Sequence, residues 1–305
     1  MTDGPRTFGA LLIGAMIAAG FTGILNSQCM SYVKLYPKDR PIFKILVLLI
    51  WLLDASHIIS VTVALWEYLI DHAGDEKEAD YIPKSLALSI AFTAITTLLV
   101  HCFLIHRIYR LSHNAWYIAL PLAFLVILRT CAAIITTEAM IRFRSFSMFM
   151  EASKWSFTLG LALSSILDVL NTGLLCWLLY DSQQDTSSLN HVIDTLMLYT
   201  FENGALTWQV GEIIGTIAIA VASMICWLAM PTNLIFMGLH FIISKTYAIS
   251  LVVTLNRRKR FRFLNGSQPN TPIVLADMPH DLSQHASPEL KSGTVNTVFT
   301  LIMTR

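Results

Sequence analysis

Ile45-Leu46-Val47-Leu48-Leu49-Ile50-Trp51-Leu52-Leu53-Asp54-Ala55-Ser56-His57-Ile58-Ile59-Ser60-Val61-Thr62-Val63-Ala64-Leu65-Trp66 carries a single charge, Asp54, in the middle of an otherwise apolar run. A bilayer core about 30 Å thick takes roughly 20 helical residues. The stretch is long enough to cross, and it lacks the short alternating segments of a membrane β-barrel. Only a helix satisfies every backbone group of one segment in lipid.

Six further runs read the same way. The expected spans are 8–33, 42–69, 85–111, 115–138, 154–180, 192–230 and 234–256. The first is too long and too uncharged for the core of a signal peptide, despite Arg6 before it and the small residues Ala18-Ala19-Gly20 within it. The predicted fold class is therefore all-α: a polytopic membrane bundle of seven transmembrane helices over residues 1–258, followed by a tail over 259–305.

Composition agrees. Of 305 residues, 55% are hydrophobic and 13% charged, with a mean hydropathy of +0.60. A soluble domain carries about 25% charge. The net charge of +1 gives no case for a nucleic-acid partner. No zinc spacing, phosphate loop or nucleophile elbow is present, so no enzyme, metal or cofactor is expected. The five cysteines, Cys29, Cys102, Cys131, Cys176 and Cys226, all fall in apolar spans and read as packing residues rather than as extracellular disulfides.

Lys and Arg near the span ends set the orientation. Lys34, Lys38, Arg40 and Lys44 lie in or beside the first link, Arg107 and Arg110 before the third, and Arg257-Arg258-Lys259-Arg260-Phe261-Arg262 after the last span. The second link is mainly acidic, from Asp71 to Asp80. The N-terminus is therefore expected outside and the tail in the cytoplasm, with the plasma membrane favoured over an internal one. Arg142, Arg144 and Lys154 lie on the expected outer side, against the trend. Beyond Phe263 the tail is rich in Ser, Thr, Pro and Asn and reads as disordered, with Thr271-Pro272 and Ser287-Pro288 as phosphorylation candidates. Directly before it, Arg257, Arg258, Lys259, Arg260 and Arg262 form a candidate anionic-lipid site, at about 1 kcal/mol per charge.

Charges deep in lipid are costly and turn toward partners inside the bundle. The candidate intramembrane residues are Asp54, His57, His101, Arg129, Asp168, Glu202 and Lys245. Asp54 and His57 share a helix face, as do Ser89, Thr93, Thr97 and His101, and again Ser164, Asp168 and Thr172. At 1.5 Å per residue, Asp54, Lys245 and Glu202 lie about 15 Å from the inner surface, Arg129 about 20 Å and Asp168 about 10 Å. Because the second and seventh helices of a ring are commonly neighbours, Asp54 and Lys245 are expected to interact. Helix packing and a small-molecule, ion or proton site both remain open as the reason.

Trp51-Leu52-Leu53-Asp54 with His57, His101-Cys102-Phe103 leading to Arg107-Ile108-Tyr109, Asp168-Val169, Glu202-Asn203-Gly204-Ala205-Leu206-Thr207, Met230-Pro231 with Asn233, and Ser244-Lys245-Thr246-Tyr247 running to Thr254-Leu255-Asn256 together resemble a fungal seven-helix family. It is defined by the domain of unknown function numbered 6534, here roughly 164–256. The resemblance implies a multi-pass membrane protein of basidiomycete type and supplies no catalytic residues. One departure is Trp208-Gln209-Val210-Gly211-Glu212-Ile213-Ile214-Gly215, which intervenes where the family pattern runs straight on and lengthens the sixth run.

The expected function is a receptor- or sensor-like membrane protein. His106-Arg107-Ile108-Tyr109, and a seventh helix without Asn-Pro-x-x-Tyr, set it apart from rhodopsin-type receptors. The alternatives are a small-solute, ion or proton transporter lined by the polar stripes, and a structural membrane protein. Seven spans without a visible internal repeat speak against the transporter.

Overall fold

The computed structural model describes residues 4–71, 80–112, 114–184, 211, 215–230 and 234–266. The helices are α1 (Gly4–Leu35), α2 (Pro41–Trp66), α3 (Lys84–Leu111), α4 (Trp116–Phe143), α5 (Phe146–Gln184), α6 (Gly215–Ala229) and α7 (Ile235–Gly266). Apart from one isolated bridge, the described residues contain no β-structure. Residues 1–264 form one compact unit; a second, 265–305, lies almost wholly outside the described residues.

Six helices, all except α6, are long and apolar enough to cross a membrane. Of the sixth expected span, residues 192–210 lie outside the described residues, and α6 is a shorter apolar helix. Its described part has 15 residues, a rise of about 22 Å. The structure thus establishes six membrane-length helices among the described residues.

Local chemistry explains the boundaries. Pro41 opens α2, where its missing N–H costs no helical bond, and Pro83 precedes α3. Arg144 ends α4 in the left-handed conformation (φ 52°), its N–H bonding to Met140 O at 3.2 Å, and this tight turn starts α5 at once. Consequently α5 begins at Phe146, earlier than predicted, and bends at Ser153 (φ −133°, ψ 16°). At the other end, α7 continues through the basic residues 257–262 to Gly266, so residue 258 falls inside a helix.

Burial is inverted relative to a soluble protein. Ile13, Met16, Ile59, Phe124, Ile127 and Ile134 are all at least 60% exposed, whereas Ser89, Thr97, His57, His101 and Lys245 are fully buried. Lipid solvates the former without penalty and cannot satisfy the latter. Cys102 and Cys131 also point outward, contrary to the packing role read for them, because a thiol is apolar enough to face lipid.

The helix at the centre is α7. About 78% of its spanning window is buried, against 22–44% in the other five. It packs on α1 by backbone contact: a Cβ added to Gly14 would lie 2.5 Å from Gly238 Cα. Asn256 Nδ2 donates to Gln28 O at 2.9 Å, and Tyr36 OH donates to Asn256 O at 2.9 Å, closing the far end of the same pair. On the other side, Trp227 of α6 packs edge-to-face with Phe157 of α5 and Phe236 of α7, with its indole N–H donating to Thr158 Oγ1 at 3.0 Å.

The two links expected outside are sewn together. Asp80 accepts from Ser145 Oγ, from Ser147 N (2.8 Å) and from Ser147 Oγ (2.6 Å). Ile82 N donates to Arg144 O at 2.9 Å, and Tyr68 OH donates to Tyr81 O at 2.7 Å. Partial burial pushes the Asp80 carboxyl upward, but the serine donors outweigh it and hold it below the ordinary carboxylate range.

Candidate functional site

Two polar assemblies occupy the interior. The first joins α2 to α7: Lys245 Nζ donates to Asp54 Oδ1 at 2.7 Å and to Asp54 O at 3.2 Å. Asp54 sits in the middle of α2, on its buried face with Ile50, His57 and Val61. Lys245 is the only charge in the middle of α7 and needs a counter-charge at the same depth. The pairing expected from depth arithmetic is therefore present. His57, one turn along α2, is fully buried, makes no hydrogen bond among the described residues, and meets the edge of Phe241 at 6.2 Å.

The second assembly is a ring of polar side chains over four helices, hydrogen-bonded along most of its length. Ser89, Thr93 and Thr97 of α3 each return their hydroxyl hydrogen to a carbonyl one turn back, which satisfies them without a partner helix. Thr97 Oγ1 then has lone pairs free and accepts from Arg129 Nη1 of α4. Arg129 Nε donates to Ser164 Oγ of α5 at 3.3 Å. Ser164 lies 3.1 Å from Tyr247 OH of α7, and Tyr247 OH donates to Asp168 Oδ2 of α5. His101 of α3 completes the circle by proximity only, with Nδ1 2.9 Å from Thr97 O and Nε2 3.7 Å from Asp168 Oδ1, beyond hydrogen-bond reach.

Donor arithmetic assigns the hydrogens. The phenol gives its single hydrogen to Asp168, so the Ser164 hydroxyl must donate to the phenol and accept from Arg129. The chain runs one way, from guanidinium through Ser164 and Tyr247 to carboxylate, and dipoles aligned in this manner reinforce one another. His101 Nδ1 faces a carbonyl and so carries the hydrogen, which leaves the Nε2 lone pair turned toward Asp168.

A cavity of about 30 Å³ rests on this ring. Arg129 and Ser164 form its floor; Thr136 and His240 supply further polar wall, and Ile90, Phe157, Leu161 and Ile243 the apolar part. Both ring nitrogens of His240 lack a hydrogen-bond partner among the described residues, although the side chain is only 7% exposed. Such a volume admits one or two water-sized groups, and the site is polar enough to hold them. Thr136 is seven residues before the end of α4, and His240 five after the start of α7, so the cavity lies about 10 Å below the end of the bundle that carries the Asp80 clamp.

Of the predicted residues, the structure brings Asp54 and Lys245 together in one place and His101, Arg129 and Asp168 in another. His57 joins neither by a hydrogen bond. Glu202 lies outside the described residues, and the side chains of Arg257, Arg258, Lys259, Arg260 and Arg262 do so as well. Tyr247, the junction of the ring, was not among the candidates, whereas His240 is legible in the sequence as a polar group deep in the last span, beside Lys245. The signal for Tyr247 was a hydroxyl inside a span, a group that lipid cannot satisfy.

A bundle with six membrane-length helices among the described residues, and with Asp54, Lys245, Arg129 and Asp168 turned inward, defines a multi-pass membrane protein. Residues 164–260 of the chain match a family of unknown function, DUF6534. The matched segment contains Ser164, Asp168, His240, Lys245 and Tyr247, while Asp54, His101 and Arg129 precede it. No curated protein and no solved structure matches the chain.

Proposed function

We propose that this is a receptor- or sensor-like membrane protein of seven spans, with its N-terminus outside, its tail in the cytoplasm and the plasma membrane as its site. The seventh span is the run containing α6. The fungal origin implied by the sequence resemblance belongs to the same reading.

One observation carries it: the cavity floor is made by Arg129 and Ser164, and Ser164 bonds to Tyr247 of the central helix α7. A small molecule binding there competes for the same donors that hold α7. Binding energy is thereby coupled to the position of the helix that leads into the basic tail. The cavity lies in the half of the bundle assigned to the outer side, where an external signal arrives. A transporter needs a polar path to both faces, whereas Arg129, Thr97, Tyr247 and Asp168 below the cavity are bonded to one another and to their neighbours within the bundle.

The test uses the full chain in proteoliposomes with a fluorophore at the C-terminus, challenged with short-chain carboxylic acids, amines and alcohols. A fluorescence response that Tyr247→Phe abolishes supports the sensor. Proton or chloride flux above that of empty liposomes, lost in Asp54→Asn, overturns it in favour of the transporter.

A further inference from the structure

From the shape and chemistry of the cavity we infer that it binds the carboxylate head of an amphiphilic acid, which enters sideways from the bilayer between α4 and α5. This rests on the reading of the cavity as a ligand site and adds the chemical class of the ligand and its route.

The head group is indicated by the donors. Arg129 forms no ion pair with a described carboxylate, and the described hydrogen bonds use its Nε and Nη1, leaving Nη2 over. His240, only 7% exposed, lines the same space, and both of its ring nitrogens are without a hydrogen-bond partner among the described residues. A guanidinium edge beside an imidazole and the Thr136 hydroxyl suits a planar, singly charged acceptor such as a carboxylate. The remaining charges are engaged elsewhere: Asp168 with Tyr247, Lys245 with Asp54.

The route is indicated by exposure. Eight of the ten lining residues are buried; only Ala133 of α4 and Gly160 of α5 are partly exposed, so the mouth lies between them. Both are small, and a Cβ built on Gly160 meets nothing within 4 Å. A mouth on the side of a membrane helix pair opens into hydrocarbon, not water. An inorganic anion would have to shed its hydration there at high cost. An acid with an alkyl chain partitions into the bilayer, and its chain stays in lipid at the mouth while its head reaches Arg129.

The experiment measures binding of radiolabelled decanoate to the purified full chain in nanodiscs, with decanol and sodium chloride as competitors. Decanoate should bind saturably. Decanol and a large excess of chloride should compete poorly. Gly160→Leu, whose Cβ meets nothing within 4 Å and whose longer side chain plugs the mouth, should weaken binding by roughly tenfold or more while leaving the thermal midpoint near that of the parent protein. His240→Ala should weaken it as well, by loss of a donor to the charged head. Binding that survives Gly160→Leu overturns the lateral route. Equal competition by decanol overturns the carboxylate, and displacement by chloride reassigns the site to an inorganic anion. Saturable decanoate binding without any response of the tail fluorophore refutes the sensor and leaves this inference standing.

Discussion

Arg129 and Asp168 are opposite charges inside the same bundle that communicate through two hydroxyls, Ser164 and Tyr247, rather than by direct contact. The arrangement makes α7 a participant in the charge balance between α4 and α5. It also makes Tyr247 the place where the balance is easiest to break.

Tyr247→Phe should destabilise the protein by about 1–3 kcal/mol, the cost of leaving a buried acceptor without its donor. Ser164→Ala should cost less, since Arg129 retains Thr97. Thermal melting of the purified variants orders the two; an unchanged midpoint for Tyr247→Phe would show that the relay contributes nothing.

Breaking the α2–α7 ion pair from one side leaves a buried charge. Lys245→Met or Asp54→Leu alone should each cost about 3–5 kcal/mol, and the double variant should recover most of it. A double-mutant cycle in detergent measures the coupling. Additive losses would mean that the two groups act independently despite their 2.7 Å separation.

The α1–α7 contact has no room for a side chain. Gly14→Ala places a methyl group 2.5 Å from the Gly238 backbone and should lower the yield of folded protein sharply. Gly20→Ala and Gly23→Ala, whose new Cβ atoms meet nothing within 4 Å, serve as controls and should be neutral. Equal yields for all three would contradict the packing of α1 on α7.

The Asp80 clamp makes stability depend on pH. Its folded carboxyl titrates below the unfolded value of about 3.9. The stabilisation is therefore present above that value and lost as pH falls through the folded one. Melting midpoints measured downward from neutral pH should drop in this acid range, and Asp80→Asn should flatten the drop. A parallel curve for the variant would assign acid sensitivity to other groups.

Depth arithmetic worked for Asp54 and Lys245 because the bilayer fixes where each helix starts, and rise per residue then fixes height. It was less informative for Arg129 and Asp168, which it set about 10 Å apart. Their connection needs the Tyr247 side chain, aimed from a third helix. The central place of α7 had a faint trace in the sequence, since α7 is among the least apolar of the six spans. In lipid, the less apolar helix is the one that moves inside.

The amino-acid sequence by itself determined the medium and the local conformation: long apolar runs in a chain with 13% charge require lipid, and lipid requires helices. Its punctuation, such as Pro41 and Pro83, placed several ends. Only the tertiary structure decided which helix occupies the middle, which way each helix is rotated about its axis, and so which buried groups meet. The physical reason is that hydropathy and rise act along one helix, whereas hydrogen bonds such as Ser164 to Tyr247 depend on the mutual rotation of several.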